Sequence, residues 1–384
     1  MPALYFCIVC RSMFRILHTE SSVGLGGQEL RILSEAKGMI GRGHHVVIAA
    51  PVRSALAQLA SEAGIVCYDI PVGVTGWCCL VPFFLRVFKV DRVQVVHTHG
   101  SQDSWTASCA ARISQEKPII VRARHKSTPI SLSFRHDVLY RRLPHAVVTT
   151  GKAVRQQLID QNGLDGATVY SIPTGVDLHR FSPSVQSDGL RTALGLPKSG
   201  LLVGTVSFLR TEKGIHLLIE AIARLRSEFP SLHCVIVGDG PEHSNLLRLT
   251  RERHLESVVF FVGMRNDIPD LLSLLDVFVL PSLEEGIPQS LTQALAMQCP
   301  VVASNVGGVP EVVQDGQTGL LVPPQDPDFL ADKIAFFLRH PAQGKRMGQA
   351  GREAIVKNFS LESMLDKTEQ LYADLWERKA ARAA

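Results

Sequence analysis

No stretch of this 384-residue chain supplies the roughly 18 uncharged apolar residues that a bilayer-spanning helix needs, although hydrophobic residues make up 46% of it. A membrane-crossing chain is therefore not expected. The apolar opening from Ala3 to Cys10 lacks a preceding basic segment and a small-residue cleavage site, so it does not read as a secretion signal. Phe14-Arg-Ile-Leu-His18 reads as the first true strand, and residues 1–12 read as an extension or as the product of a misassigned start. Eight cysteines without a secretion signal point to reduced thiols in a cytoplasmic protein. Cys7-x-x-Cys10 has no second pair and no nearby histidine set, so it reads as two small buried side chains rather than a metal or redox site. The chain also lacks internal repeats, low-complexity tracts and the G-x-G-x-x-G fingerprint.

What is present is enough chain for two domains, each burying its own core. Two segments repeat one layout. Phe14–His18, Gly24–Gly27, a helical run from Glu29 to Arg42 and His45–Ala50 form the first. Leu201–Val206, Arg210–Gly214, Ile215–Ser227 and His233–Val237 form the second. Strands this apolar on both faces belong to parallel sheets covered by helices. The reading is α/β, with two Rossmann-like domains: 1–185, and 186–384 with the last helix, about 361–378, crossing back to the first. The Pro-, Ser- and Gly-rich stretch 181–200 reads as the linker.

The net charge of +4 divides unevenly, at +8 through residue 185 and −4 beyond it. The first domain is expected to meet an anionic acceptor or the inner face of a membrane, and nothing points to nucleic acid. Trp77 to Lys89 mixes Trp77, Phe83, Phe84 and Phe88 with Arg86 and Lys89. It reads first as a buried helix, with a peripheral membrane patch as the alternative.

The densest signal runs from Leu280 to Gly308. A strand ends, a Pro/Gly loop presents Glu285 and Gly286, and a helix opens after Ile287 and Pro288. The amides of Gln289, Ser290 and Leu291 would then face an anion such as a diphosphate. Gln293, one turn on, would face the same ligand as Glu285. Arg210 and Lys213 lie where another strand gives way to a helix, and they suit phosphate recognition. Gly26 and Gly27 are small where a ligand could come close. His125 closes a central strand, flanked by Arg122 and Arg124. His97 and His99 follow another strand, and no third ligand is evident for a metal there. Asp326-Pro-Asp328, the sole Asp-x-Asp, reads as a helix start rather than a metal motif.

From residue 14 to 365 these motifs resemble glycosyltransferase family 4, retaining enzymes of the GT-B fold, which face two Rossmann-like domains across a cleft. The resemblance implies that Arg210 and Lys213 hold the donor diphosphate, with Gly26 and Gly27 approaching it from the other domain. Glu285 would orient the sugar, and Gly238, Met264 and Arg265 would line the nucleotide pocket. The position of the family's second glutamate, a ribose ligand, holds Gln293 here. His125 would line the acceptor side of the reacting centre, with His99, Arg122 and Arg124 as further acceptor contacts. The implied donor is UDP- or GDP-linked, with no metal and no other cofactor. The acceptor would be a saccharide or lipid-linked molecule of cell-envelope polysaccharide or lipopolysaccharide assembly. A nucleotide-sugar 2-epimerase and a non-catalytic nucleotide-sugar-binding subunit are the alternatives.

Overall fold

The fold is taken from a computed structural model, which describes residues 13–70, 77–125, 130–131, 133–184 and 189–383. Residues 1–12, including the Cys7-x-x-Cys10 pair, lie outside that set.

Seven short apolar runs pair in parallel as the first sheet: β1 (Arg15–Thr19), β2 (His45–Ala50), β3 (Cys67–Asp69), β4 (Val95–Thr98), β5 (Ile119–Arg124), β6 (Ala146–Thr149) and β7 (Val169–Ser171). Their order is β3-β2-β1-β4-β5-β6-β7. Six more form the second sheet: β8 (Leu201–Val206), β9 (Leu232–Val237), β10 (Val259–Phe261), β11 (Val277–Leu280), β12 (Val301–Ser304) and β13 (Leu320–Val322). Their order is β10-β9-β8-β11-β12-β13. Right-handed crossover connections place helices on both faces of such sheets, which is why the strands are apolar throughout. Each sheet reverses its winding once, between β1 and β4 and between β8 and β11. Ligands of doubly wound sheets bind at the carboxyl ends of the strands at such points.

The helix Gly27–Gly41 buries Ile32, Leu33, Ala36 and Met39 on one face of the first sheet. The helices Trp77–Asp91 and Ser101–Ile113 cover the other, with Phe84 and Phe88 fully buried beside Ala107 and Ala110. Each such phenylalanine stabilises the core by roughly 1.5–3 kcal/mol. The membrane alternative for this segment therefore loses its two central aromatics. Phe83 is half-buried and packs edge-on against Tyr68. The Trp77 side chain is outside the described set. The second sheet is sandwiched between the helices Ile215–Leu225 and Pro327–Arg339 on one face and Gln289–Ala296 on the other. Asp326 caps the helix Pro327–Arg339, accepting from Phe329 N at 2.9 Å, which leaves that Asp-x-Asp with a structural task.

The last helix, Leu361–Ala383, returns to the first sheet and buries Leu371, Tyr372 and Leu375 in its core. Its entry is pinned by two backbone bonds, Val176 N to Phe359 O at 2.8 Å and Leu361 N to Val176 O at 2.9 Å. Gly175 makes this approach possible, because a Cβ there would stand 2.6 Å from Leu361 Cα and from Ser360 O.

Candidate active site

At the reversal of the second sheet, two loops are laid against each other. The turn after β8 carries Arg210 and a short 3-10 segment, Thr211–Lys213, and the loop after β11 carries Pro281 to Gly286. Leu283 N donates to Glu212 O at 2.8 Å. Gly214, at φ +62°, tucks under Pro281 so closely that a Cβ would stand 2.1 Å from its carbonyl oxygen. Gly307, at φ +52°, gives the same close passage beside Glu285 O. Lys213 Nζ and Ser282 Oγ both donate to Glu285 Oε1 at 2.7 Å. The glutamate is 7% exposed and the lysine 26%, so the pair sits at the floor of the crevice, partly desolvated. Arg210 stays exposed, its guanidinium 4.7 Å from the Phe208 ring centre. The helix Gln289–Ala296 starts after Pro288 without a side-chain cap. Gln293 is half-buried, and no hydrogen bond involves its amide among the described residues.

The reversal of the first sheet holds histidines. His18 lies in β1, His97 lies in β4, His99 follows it and His125 follows β5. His18 Nδ1 is 3.0 Å from His99 Nε2, and His99 Nδ1 is 3.0 Å from His125 Nε2. His97 Nδ1 meets Tyr372 Oη at 2.7 Å and Glu35 Oε1 at 3.2 Å. Nitrogens of His18, His97 and His99 lie within 4.8 Å of one another, close enough for a metal-ligand set. The reading that His97 and His99 have no third candidate is thus corrected: His18 is 79 positions away from His97 in sequence and adjacent in the sheet.

The two halves touch at the site. Gln289 Nε2 donates to Gly27 O at 2.6 Å. A Cβ on Gly286 would lie 3.5 Å from Thr150 Oγ1 and 3.6 Å from His125 O. Glu311 receives the amides of Lys152 and Ala153, both at 2.7 Å, from the start of a helix in the first half.

Two family profiles match this arrangement along the chain: one described as Glycosyltransferase Family 4 over residues 25–180, and one described as Glycosyl transferases group 1 over residues 187–354. The chain belongs to glycosyltransferase family 4. Among curated relatives of this chain is the N-acetyl-alpha-D-glucosaminyl L-malate synthase of Bacillus anthracis, 30% identical over 186 residues. That match spans 48% of this chain and only 49% of the relative, about half its length. The UDP-Gal:alpha-D-GlcNAc-diphosphoundecaprenol alpha-1,3-galactosyltransferase of Escherichia coli is 26% identical over 76% of this chain and 78% of that one. The crystal structure of Anabaena HepE in complex with UDP-glucose superimposes with a TM-score of 0.81 at 23% identity, covering 94% of this chain and 99% of that one. These solved structures show that the chain has the GT-B fold.

Within the chain, Glu285, Lys213, Arg210, Gln293 and the start of the helix Gln289–Ala296 are brought to one crevice, with Gly26 and Gly27 across from them. Gly238 lies beside Ser207 at the end of β9, at φ +130°. Met264 is exposed next to it in the following loop, and Arg265 is held by a two-pronged pair with Asp267 at 2.6 and 2.9 Å. Two acceptor assignments are corrected. Arg122 is buried, its guanidinium spent on the carbonyls of Thr98 (3.2 Å) and His99 (2.6 Å), so it braces the histidine loop instead of facing a ligand. His99 is 3% exposed between two other rings and cannot line an open pocket. Arg124 and His125 are half-buried at the rim. Sequence reading missed His18, Arg31, Glu35, Glu311 and Tyr372. Arg31 and Glu35 carried a signal, since both share the core-facing stripe with Ile32, Ala36 and Met39, where charge is unexpected.

Proposed function

We propose that this chain transfers a sugar from a nucleotide-sugar donor, held by the second half, to a saccharide or lipid-linked acceptor, held by the first. The observation that carries this is the Lys213–Glu285 pair at the sheet reversal, beside an uncapped helix start and an exposed Arg210. Lys213 has three N–H donors and uses one on Glu285, leaving two for a diphosphate. Arg210 adds a second cation, each charge-assisted contact being worth roughly 1.5–3 kcal/mol. Glu285, held in one rotamer by Lys213 and Ser282, offers its second oxygen to sugar hydroxyls. The leaving diphosphate is stabilised by Arg210 and Lys213 without a divalent metal. It takes the acceptor's proton as the new glycosidic bond forms on the same face, with retention. Met264 and Arg265 flank the base, and Gln293 shares the ribose hydroxyls.

The relatives support a UDP-linked donor and an acceptor of the cell-envelope polysaccharide or lipopolysaccharide type; the basic first half suits an acceptor reached at the inner face of a membrane. The E. coli relative is named for a UDP-galactose donor and a diphosphoundecaprenol-linked acceptor. Another similar structure is a lipopolysaccharide outer core galactosyltransferase. No described helix is long and apolar enough to cross a membrane. The Bacillus anthracis and Escherichia coli relatives are named for separate acceptors, which disfavours the epimerase alternative.

Thermal unfolding with UDP-, GDP-, ADP- and TDP-sugars, each with and without EDTA, tests this reading. A ligand at 100 times its dissociation constant adds roughly 2.7 kcal/mol of stability. The expected outcome is stabilisation by UDP-sugars, insensitive to EDTA and lost in Lys213→Ala. Indifference to every nucleotide, or an unchanged shift in Lys213→Ala, overturns the donor assignment.

A further inference from the structure

Three strands and a helix of the first half, together with the return helix Leu361–Ala383, converge on a chain of imidazoles that ends in a buried carboxylate. From the cleft inward, His125 Nε2 meets His99 Nδ1, and His99 Nε2 meets His18 Nδ1, each at 3.0 Å. His18 Nε2 then faces Glu35 Oε1 at 3.9 Å, an electrostatic contact rather than a hydrogen bond. Tyr372 Oη donates to the same oxygen at 3.2 Å, His97 Nδ1 lies 3.2 Å from it, and Arg31 Nε stands 3.7 Å from Oε2. Glu35, His18 and Tyr372 are wholly buried, and Arg31, His97 and His99 nearly so.

A neutral imidazole carries one N–H, so two ring-to-ring bonds in series allow only two orientations. In one, every Nδ1 is protonated and the bare lone pair of His18 Nε2 points at the carboxylate. In the other, every Nε2 is protonated and each N–H dipole points toward the negative charge. With water excluded, the carboxylate selects the second. We propose that Glu35, acting through His18 and His99, fixes the tautomer of His125, so that His125 presents an unprotonated Nδ1 as a hydrogen-bond acceptor to a substrate hydroxyl. The proposal rests on the reading of His125 as a residue of the reacting centre. His125 is then the group that touches substrate, and Glu35, His18 and His99 are positioning residues.

The protonation states agree with this. Burial opposes ionisation of Glu35, but the attraction of His97, then His18 and Arg31, outweighs it and holds the carboxyl far below its usual range. Burial, above all, lowers the His18 pKa to about 4 and holds His99 and His125 well below 6.5, so the rings are neutral at physiological pH. A cation shared by the histidines is disfavoured, because His18 Nδ1 and both nitrogens of His99 are engaged by neighbouring rings and the Arg31 guanidinium lies alongside.

Nitrogen–proton correlation spectra of the full chain, labelled at histidine, report the tautomers directly. The Nε2–H form is expected at His18, His99 and His125. In Glu35→Gln the Nδ1–H form should appear at His125, and kcat should fall by up to roughly 10²-fold with the donor KM unchanged. Nδ1–H tautomers in the wild type, a Glu35→Gln enzyme with wild-type kcat, or one equivalent of zinc retained on purification would overturn the proposal. The wild-type spectrum requires neither a folded variant nor turnover. It therefore separates an error in the tautomer from an error in the transferase reading.

Discussion

Glu20 shows how one buried acid at the carboxyl end of the first sheet shapes stability. It ends just past β1, is 1% exposed, and its Oε1 accepts from Ser22 N at 2.8 Å while Gln28 donates to the other oxygen. Burial first, then the Asp103 carboxylate, raises its pKa from 4.5 to about 7. The folded chain therefore holds a proton there that the unfolded chain gives up above about pH 4.5, and stability falls as pH rises from that value to about 7. Glu20→Gln is expected to raise stability at pH 8 by on the order of 1–3 kcal/mol and to leave it unchanged at pH 4, as read by urea unfolding at the two values. Lys213 gives the opposite case, a charge whose loss costs both function and fold. Lys213→Ala leaves Glu285 with Ser282 as its one remaining side-chain donor among the described residues and is expected to reduce turnover by roughly 10²–10³-fold. Steady-state kinetics with saturating donor checks this.

At the scale of elements, the contact between the halves rests on a helix start. The helix Lys152–Asp160 follows Gly151, which has no side chain to cap it, and its first two amides are taken by Glu311 from the second half. The carboxylate is favoured there by both hydrogen bonding and the helix dipole. Glu311→Gln keeps one acceptor and loses the charge. It is expected to destabilise the joined arrangement by about 1 kcal/mol and to enlarge the radius of gyration in small-angle scattering. This contact was not legible in the sequence, because Glu311 and Lys152 are far apart in the chain and neither belongs to a motif. The crevice at the reversal of the second sheet was legible for the converse reason. Arg210 to Lys213 and Glu285 to Gln293 each occupy one strand-to-helix turn, so their spacing along the chain already sets their spacing in space. The strands themselves were readable as apolar runs bounded by Gly and Pro. The histidine chain draws on β1, β4, β5, the helix Gly27–Gly41 and the return helix, and only the packing of the sheet reveals it.

For the whole molecule, imidazoles wholly or partly shielded from water decide the acid limb of stability. The His18 pKa is lowered to about 4 chiefly by burial, and the His145 pKa to about 4 by burial and then by Arg112, Lys379 and Arg382. His99 and His125 lie well below 6.5 for the same leading reason. Each is neutral in the folded chain at a pH where the unfolded chain already binds a proton. Their contribution is whole above about pH 6.5 and is lost as pH falls toward 4, at about 1.4 kcal/mol per pH unit for each group. Glu20 and Asp103, whose pKa values burial raises, act in the opposite direction and offset part of this slope. Four histidines against two acids leave a net loss on acidification. Urea unfolding should therefore show stability dropping between pH 6.5 and 4.5. His145 isolates the effect from the active site, since its Nδ1 accepts from Ile120 N at 2.9 Å and takes no part in the histidine chain. In His145→Asn the side-chain oxygen can take over that bond while the titrating ring is gone. The slope should then fall by the share of one proton with turnover retained; an unchanged slope would mean that His145 is protonated in the folded chain and that the remaining rings carry the whole effect.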